Sequence, residues 1–381
     1  MYGKRVVVIG NNLLSEILSE ILPVDFKVVK IANKNNDTKV PYYPNDVSSG
    51  IMGQFLSDAS LTNQYHSTKK DVIFRVFTDK TELSFENNLD CFRNALIEKY
   101  QSDSDQIREL FSVISEIGME WKKYINNRFR KDPSIFKLSG KYGMIEMKNL
   151  DSIFRLPEEA KNLICSILPR NDVTLAVFGG YLVTQAFDIH CIENSLFEII
   201  SDHKKNEAIV VDDIYDLKQD FSEDDVIVDC RQMSKPEIKG GYAKIIGLSE
   251  EIPVNQMFFI NSDSYWIHIW NSSIIEPDDK TWNVEYVMRG ADDDIQTIKK
   301  RIKAIWNVNV EFSEIIDDDK AEEIFGVSVI RGYNWAFNKS QTLKDPMNLM
   351  RAPKGNVLNC EKWGYAWFSA AYYVRSILAN D

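Results

Sequence analysis

The chain has 381 residues, 44% of them hydrophobic and 12% aromatic, and a formal net charge of −12. This length holds two domains, or one elaborate domain around a sizeable core, and the apolar share excludes a disordered chain. The acidic balance leaves no general basic face for nucleic acid or for an anionic membrane surface, although a local basic pocket for one phosphate stays open.

Residues 5–9 form a short β-branched run without alternation, the pattern of a parallel strand buried on both faces. Gly10, Asn11 and Asn12 supply a turn. Leu13, Leu14, Ile17, Leu18, Ile21 and Leu22 then make one helical stripe that Pro23 stops. A second strand at 26–31 and the polar loop NKNNDTK complete a βαβ opening.

The segments DVIFRVF and ELSF flank Thr78-Asp79-Lys80-Thr81 and predict a hairpin. The polar run at 102–106 predicts the cap of a long helix carrying Ile107, Leu110, Phe111, Ile114, Ile117, Trp121 and Tyr124 on one face. Helices are also expected around 156–168 and 181–194. Short strands follow at LFEII, AIVV and DDVIVDC, and 241–290 is strand-rich. In SYWIHIW, alternation puts Trp266, His268 and Trp270 on one face and Tyr265, Ile267 and Ile269 on the other. Helices at 295–306 and 364–378 complete the chain, which has no internal repeat.

The first residues run straight into a strand, so no signal peptide is expected, and no apolar run reaches the roughly 20 residues of a membrane span. Cys91, Cys165, Cys191, Cys230 and Cys360 are scattered without a CxxC pair, as expected of reduced cysteines in a cytoplasmic protein. No HExxH spacing occurs, so no metal is expected. Adjacent His190 and Cys191 do not face one another on a helix and make no dyad. The runs 292–294 and 317–319 read as solvated loops or helix starts.

The chain as a whole resembles the FAD-dependent amine oxidase and phytoene desaturase superfamily, including its UDP-galactopyranose mutase-like members. The likeness rests on VVVIGNNLLS, on DVIFRVFTDKTELSFENNLDCFRNAL at 71–96 and on VFGGYLVTQAF at 177–187. DDVIVDCR at 224–231 and GNVLNCEKWGYAWFSAAYYVRSIL at 355–378 extend it. It implies an α/β fold: a Rossmann-like FAD/NAD(P)-binding domain from 1–70, 170–240 and 336–381, with an α+β substrate domain from 71–169 and 241–335 inserted.

Several positions depart from that family. Gly10 matches the first glycine of G-x-G-x-x-G, whereas Asn12 and Ser15 stand at the second and third. Ala32 and Asn33 stand where an acid would hold ribose, and the R-x-G-G-R element is missing. Glu361 matches the family's acidic position, and Gly364, Tyr365 and Ala366 fall at the front of the last helix. The resemblance therefore implies a cofactor set of Gly10, Asn11, Asn12, Leu13, Asn33, Glu361, Gly364, Tyr365 and Ala366. It implies a substrate wall of Trp266, His268, Trp270, Trp335 and Trp363. An ordinary βα turn and plain core packing are the competing readings of these residues.

The function implied is a flavin-dependent oxidoreductase passing hydride from a small amine or apolar/aromatic metabolite to FAD. Two alternatives stay open: a non-redox flavin enzyme of the mutase/isomerase type, and a flavin-free member that binds a ligand or a protein. NAD(P) in place of FAD also stays open. A small-molecule substrate is the expected partner, nucleic acid and an integral membrane segment are not expected, and a homodimer is allowed. No catalytic residue is named.

Overall fold

The computed structural model describes residues 5–10, 13–22, 25–33, 51–62, 67–126, 137–142, 145–168, 174–187, 190–192, 200, 207–214, 217, 221–222, 224–231, 239–248, 251–274, 278–289, 294–317, 357–359, 371, 374–375 and 378. Strand β1 (Arg5–Ile9), helix α1 (Leu13–Ile21) and strand β2 (Lys27–Asn33) realise the expected βαβ opening. Helix α2 (Ile51–Asp58) and the short β3 (Ser67–Lys69) lead to the hairpin β4 (Ile73–Phe77) and β5 (Glu82–Glu86). Its turn closes through Thr78 N donating to Thr81 O at 2.9 Å, as the sequence predicts.

A helical block follows: α3 (Leu89–Lys99), α4 (Ser104–Asn126), α5 (Lys137–Tyr142), α6 (Leu150–Phe154), α7 (Glu158–Cys165) and α8 (Leu175–Tyr181). The remaining elements are β6 (His190–Ile192), β7 (Glu207–Val211), β8 (Val226–Asp229), β9 (Lys239–Ile246), β10 (Gln256–Asn261), β11 (Tyr265–Asn271), β12 (Trp282–Met288), α9 (Ile295–Trp306), β13 (Glu311–Asp317) and β14 (Val357–Asn359). The helix expected over 181–194 is not continuous. A single π-type turn at Leu182–Ala186 ends α8, and His190 and Cys191 lie on β6, paired antiparallel to β3. Residues 196–199 and most of 364–378 lie outside the described residues, but Ala371, Val374 and Leu378 are buried at helical spacing.

Two sheets organise the chain. The first runs β14-β8-β1-β2-β7 and is parallel throughout. Numbered by their order along the chain, its strands stand 5-4-1-2-3, the Rossmann arrangement read from its other edge. β1 is buried because both of its faces are covered. On one side lie Leu14, Ile17 and Leu18 of α1; on the other, Ile214 packs with Val7, Ile9 and Ile31. This burial is what an unalternating strand requires.

The second sheet runs β13-β9-β12-β11-β10-β4-β5, antiparallel except where β4 meets β10. One face, with Phe74, Phe259, Trp266 and Trp270, packs on the helical block; the other, with Ile267, Ile269 and Val284, packs on Ile298 and Ile302 of α9. β11 and β12 are accordingly buried along their whole lengths. Each large side chain so buried contributes about 1.5–3 kcal/mol.

α4 presents Ile107, Leu110, Phe111, Ile114 and Ile117 to this core, the stripe read from the sequence. Its start is displaced. A 3₁₀ turn at Gln101–Asp103 precedes it, and the Ser102 hydroxyl bonds the Asp103 carboxylate instead of capping the helix. α8 crosses α4 where side chains are missing. A Cβ on Gly180 would lie 2.7 Å from the Trp121 ring, and one on Gly118 would lie 2.2 Å from Val183 Cβ. Trp121 Nε1 donates to Ala176 O across the same contact at 3.2 Å. Gly179 and Gly180 thus serve helix–helix approach.

Gly118→Ala is expected to destabilise the protein by about 1–3 kcal/mol in urea titrations, and adding Val183→Ala should recover much of that loss. An unaltered midpoint for Gly118→Ala would show that α8 does not press on α4 there.

Candidate functional site

In a doubly wound sheet, ligands bind outside the carboxyl ends of the strands where the winding reverses. Here that point lies between β1 and β8. Gly10 leaves β1 with its N–H donating to Ile31 O at 3.1 Å, and Cys230 N donates to Ile9 O at 2.8 Å. A Cβ on Gly10 would stand 2.9 Å from Cys230 Cβ and 3.2 Å from Ser15 Cβ, so glycine alone fits between the strand end and α1. Ser15 is fully buried, its hydroxyl donating to Gly10 O at 3.0 Å. Its small size keeps α1 on the strand, as a third glycine would.

Leu13 opens α1, and Asn33 closes β2 in register with Val211 of β7. Asn11, Asn12, Glu361, Gly364, Tyr365 and Ala366 lie outside the described residues. What is described is a parallel sheet in the Rossmann order with a crowded glycine at its reversal point.

Two polar contacts at this unit escaped the sequence analysis. Arg231, just beyond β8, forks onto Asp229, with Nε 2.9 Å from Oδ1 and Nη2 2.7 Å from Oδ2, while Nη1 donates to Ile214 O at 2.7 Å. It ties the end of β8 to the segment after β7. The D-x-R spacing at a strand end is the signal that could have found it. The second contact is an ion pair between Lys30 of β2 and Glu16 of α1, both buried. Its signal is a charged residue of opposite sign inside each apolar run.

The second predicted cluster lies on β11. Trp266, His268 and Trp270 share the face turned to the helical block, as alternation predicts, and are only 1%, 1% and 3% exposed. Trp266 Nε1 donates to Ser166 O at 2.9 Å. His268 is sandwiched by Phe259 at 4.5 Å and Trp270 at 4.6 Å between ring centroids. Register sets Phe259, His268, Glu285 and Tyr242 side by side across β10, β11, β12 and β9. Glu285 Oε2 is 3.6 Å from His268 Nδ1. The sequence analysis passed over Glu285 and Tyr242, although WNVEYVM carries the alternation that would have placed Glu285. Trp335 and Trp363 lie outside the described residues.

Burial sets the chemistry of these groups. It lowers the His268 imidazole below its ordinary value, and the hydrogen bond and charge of Glu285 only partly offset this. Burial, then the charges of Glu285, Asp279 and Glu314, raise the Tyr242 hydroxyl far above its usual range. It remains a donor, to Asn283 Oδ1 at 2.7 Å. The Cys165 thiol is pushed up to about 12, mainly by burial, and is no nucleophile. Asp294 caps α9 by accepting from Gln296 N and Thr297 N. Among the described residues no cluster of three or more His, Cys, Asp or Glu could hold a metal. Among them, too, no helix is long and apolar enough to cross a membrane.

No protein-family model and no curated protein matches this sequence. Solved structures match its fold. A double mutant of putrescine oxidase, redesigned in its cofactor binding, aligns over 100% of both chains with a TM-score of 0.56 at 7% identity. A single mutant of the same enzyme gives 0.53 at 8%, again over 100% of both chains. A RAB GDI from Plasmodium falciparum gives 0.49 at 11%, over 83% of this chain and 89% of that one. At such identities the likeness is one of fold: a Rossmann-like parallel sheet joined to a second, mainly antiparallel sheet.

Replacing Glu16 by Gln, or Lys30 by Met, is expected to cost about 3–5 kcal/mol, because either change strands a buried charge. The double change Glu16→Leu with Lys30→Met should be about neutral or stabilising in denaturant titrations. If the single changes cost no more than the double one, the pair is not desolvated.

Acid should weaken the fold through His268. The unfolded imidazole takes its proton near 6.5 while the native one resists it. The contribution is whole above that pH and is lost as pH falls toward the lower native value, at up to about 1.4 kcal/mol per unit. Melting curves between about pH 5 and 8 should show the wild type losing ground to His268→Phe below pH 6.5. A constant difference between the two would rule this out.

Proposed function

We propose that this chain is a flavin-dependent oxidoreductase acting on a small amine or apolar/aromatic metabolite. One observation carries the reading: β1 ends on a glycine with no room for a side chain, at the reversal point of a parallel sheet whose strands follow the Rossmann order. The whole-length match to putrescine oxidase, at a TM-score of 0.56, supports it at the level of fold.

In this reading 1–70, 170–240 and 336–381 bind the nucleotide, and 71–169 with 241–335 bind the substrate. Backbone amides at Gly10, Asn11, Asn12 and Leu13 meet the diphosphate, Asn33 serves the ribose, and Glu361, Gly364, Tyr365 and Ala366 serve the flavin end. Trp266, His268, Trp270, Trp335 and Trp363 form the substrate side and exclude water. When bound, FAD supplies the acceptor for the substrate's hydride. The chain's own task is then to orient the substrate and keep the site dry, which needs no acid–base constellation.

A flavin-free ligand- or protein-binding role is the second reading, and Glu16 favours it. A carboxylate paired with Lys30 already stands in the first turn of α1, near the helix end where a diphosphate would act.

The absorbance spectrum of the freshly purified protein separates the two. The first reading expects flavin bands and FAD released on acid denaturation; a colourless protein that ignores added FAD would establish the second. Anaerobic bleaching by substrate then distinguishes oxidation from a mutase or isomerase reaction. Asn12→Gly should leave flavin occupancy equal or higher, and a fall would count against a diphosphate over that turn.

A further inference from the structure

Three observations meet at one edge of the second sheet. The pairing of β13 with β9 slips between Ser313, opposite Lys244, and Ile316, opposite Tyr242, which makes room for one extra residue. Within that bulge Glu314 takes a left-handed φ of 49°, a conformation normally left to glycine. Strained non-glycine residues persist where the surroundings over-determine them, and they gather at ligand sites.

Here the strain aims Glu314 at Lys244, with Nζ 2.7 Å from Oε2. Both side chains are well exposed, 39% for Lys244 and 60% for Glu314, and a pair so exposed adds little to stability. Fold stability alone does not account for a glutamate in this conformation.

The pair borders an open groove of about 440 Å³. Ile246, which is 55% exposed, and Trp282 supply apolar wall. The exposed Lys280 lines the groove beside Asp279. Burial acts to raise the Asp279 carboxyl, but hydrogen bonds from Thr281 and Ser272 and the charge of Lys244 outweigh it, so the group stays ionised. The lining of the groove itself carries two lysines and one glutamate.

We propose that this groove binds a free amino acid with an apolar side chain, its carboxylate between Lys244 and Lys280, its ammonium at Glu314 and its apolar group against Ile246 and Trp282. A simple anion would compete with Glu314 for Lys244, and a simple amine would compete with Lys244 for Glu314. A zwitterion replaces both halves of the pair at once, and Lys280 adds a second cation for its carboxylate. This site lies at the edge of the second sheet and does not depend on the flavin reading.

Calorimetric titration of the full chain with L-leucine, acetate and isobutylamine tests the proposal. Leucine should bind saturably with a Kd on the order of 1 mM, and acetate and isobutylamine at least about tenfold more weakly. Glu314→Gln and Lys244→Met should each weaken leucine about tenfold, with melting temperatures recording whether each variant folds. Glu314→Gly should keep or raise the melting temperature, because glycine suits the bulge, while losing the ligand. Leucine binding no tighter than acetate or isobutylamine, or unweakened in a folded Glu314→Gln or Lys244→Met, would overturn the proposal.

Discussion

The first sheet depends on an absence: at residue 10 there is no room for a side chain. The end of β1, the end of β8 and the first turn of α1 converge there, with Cys230 and Ser15 each close enough that a Cβ on Gly10 would collide. The helix must lie this close for Leu14, Ile17 and Leu18 to cover β1, and β1 must be covered because its valines are apolar on both faces. Gly10, Ser15 and the unalternating strand are therefore one solution to one packing problem. The same convergence falls at the reversal of winding.

Charge enters this unit in an unusual way. Between α1 and β2, where an apolar contact would serve, Glu16 and Lys30 pair out of water. Buried pairs of this kind contribute little net stability, but each partner makes the other indispensable. The carboxylate also stands in the first turn of α1.

The second sheet handles polarity differently. His268 is held between two aromatic rings, beside Glu285 and Tyr242, in a row that only strand register creates. Such a row ties the sheet's interior to proton concentration. At the sheet's edge, the bulge in β13 turns a glutamate back toward a lysine over an open groove. Deep burial and edge exposure thus give similar groups opposite roles, one silent at neutral pH and one available to solvent.

Local pattern accounts for much of this. The run at 5–9, the stripes of α1 and α4, the hairpin at Thr78–Thr81 and the two faces of β11 were legible from periodicity and turn chemistry, because each depends on residues a few positions apart. The glycines at 118, 179 and 180 were visible as residues but not as a helix crossing, since their partners lie far along the chain. For Arg231 on Ile214 O, Lys30 on Glu16 and Glu285 beside His268, local pattern marks a residue but not its partner. By itself the sequence determined which segments bury which faces, because apolar spacing is a local property. Only the tertiary structure decided which charges meet, because strand order and register join residues that the chain holds far apart.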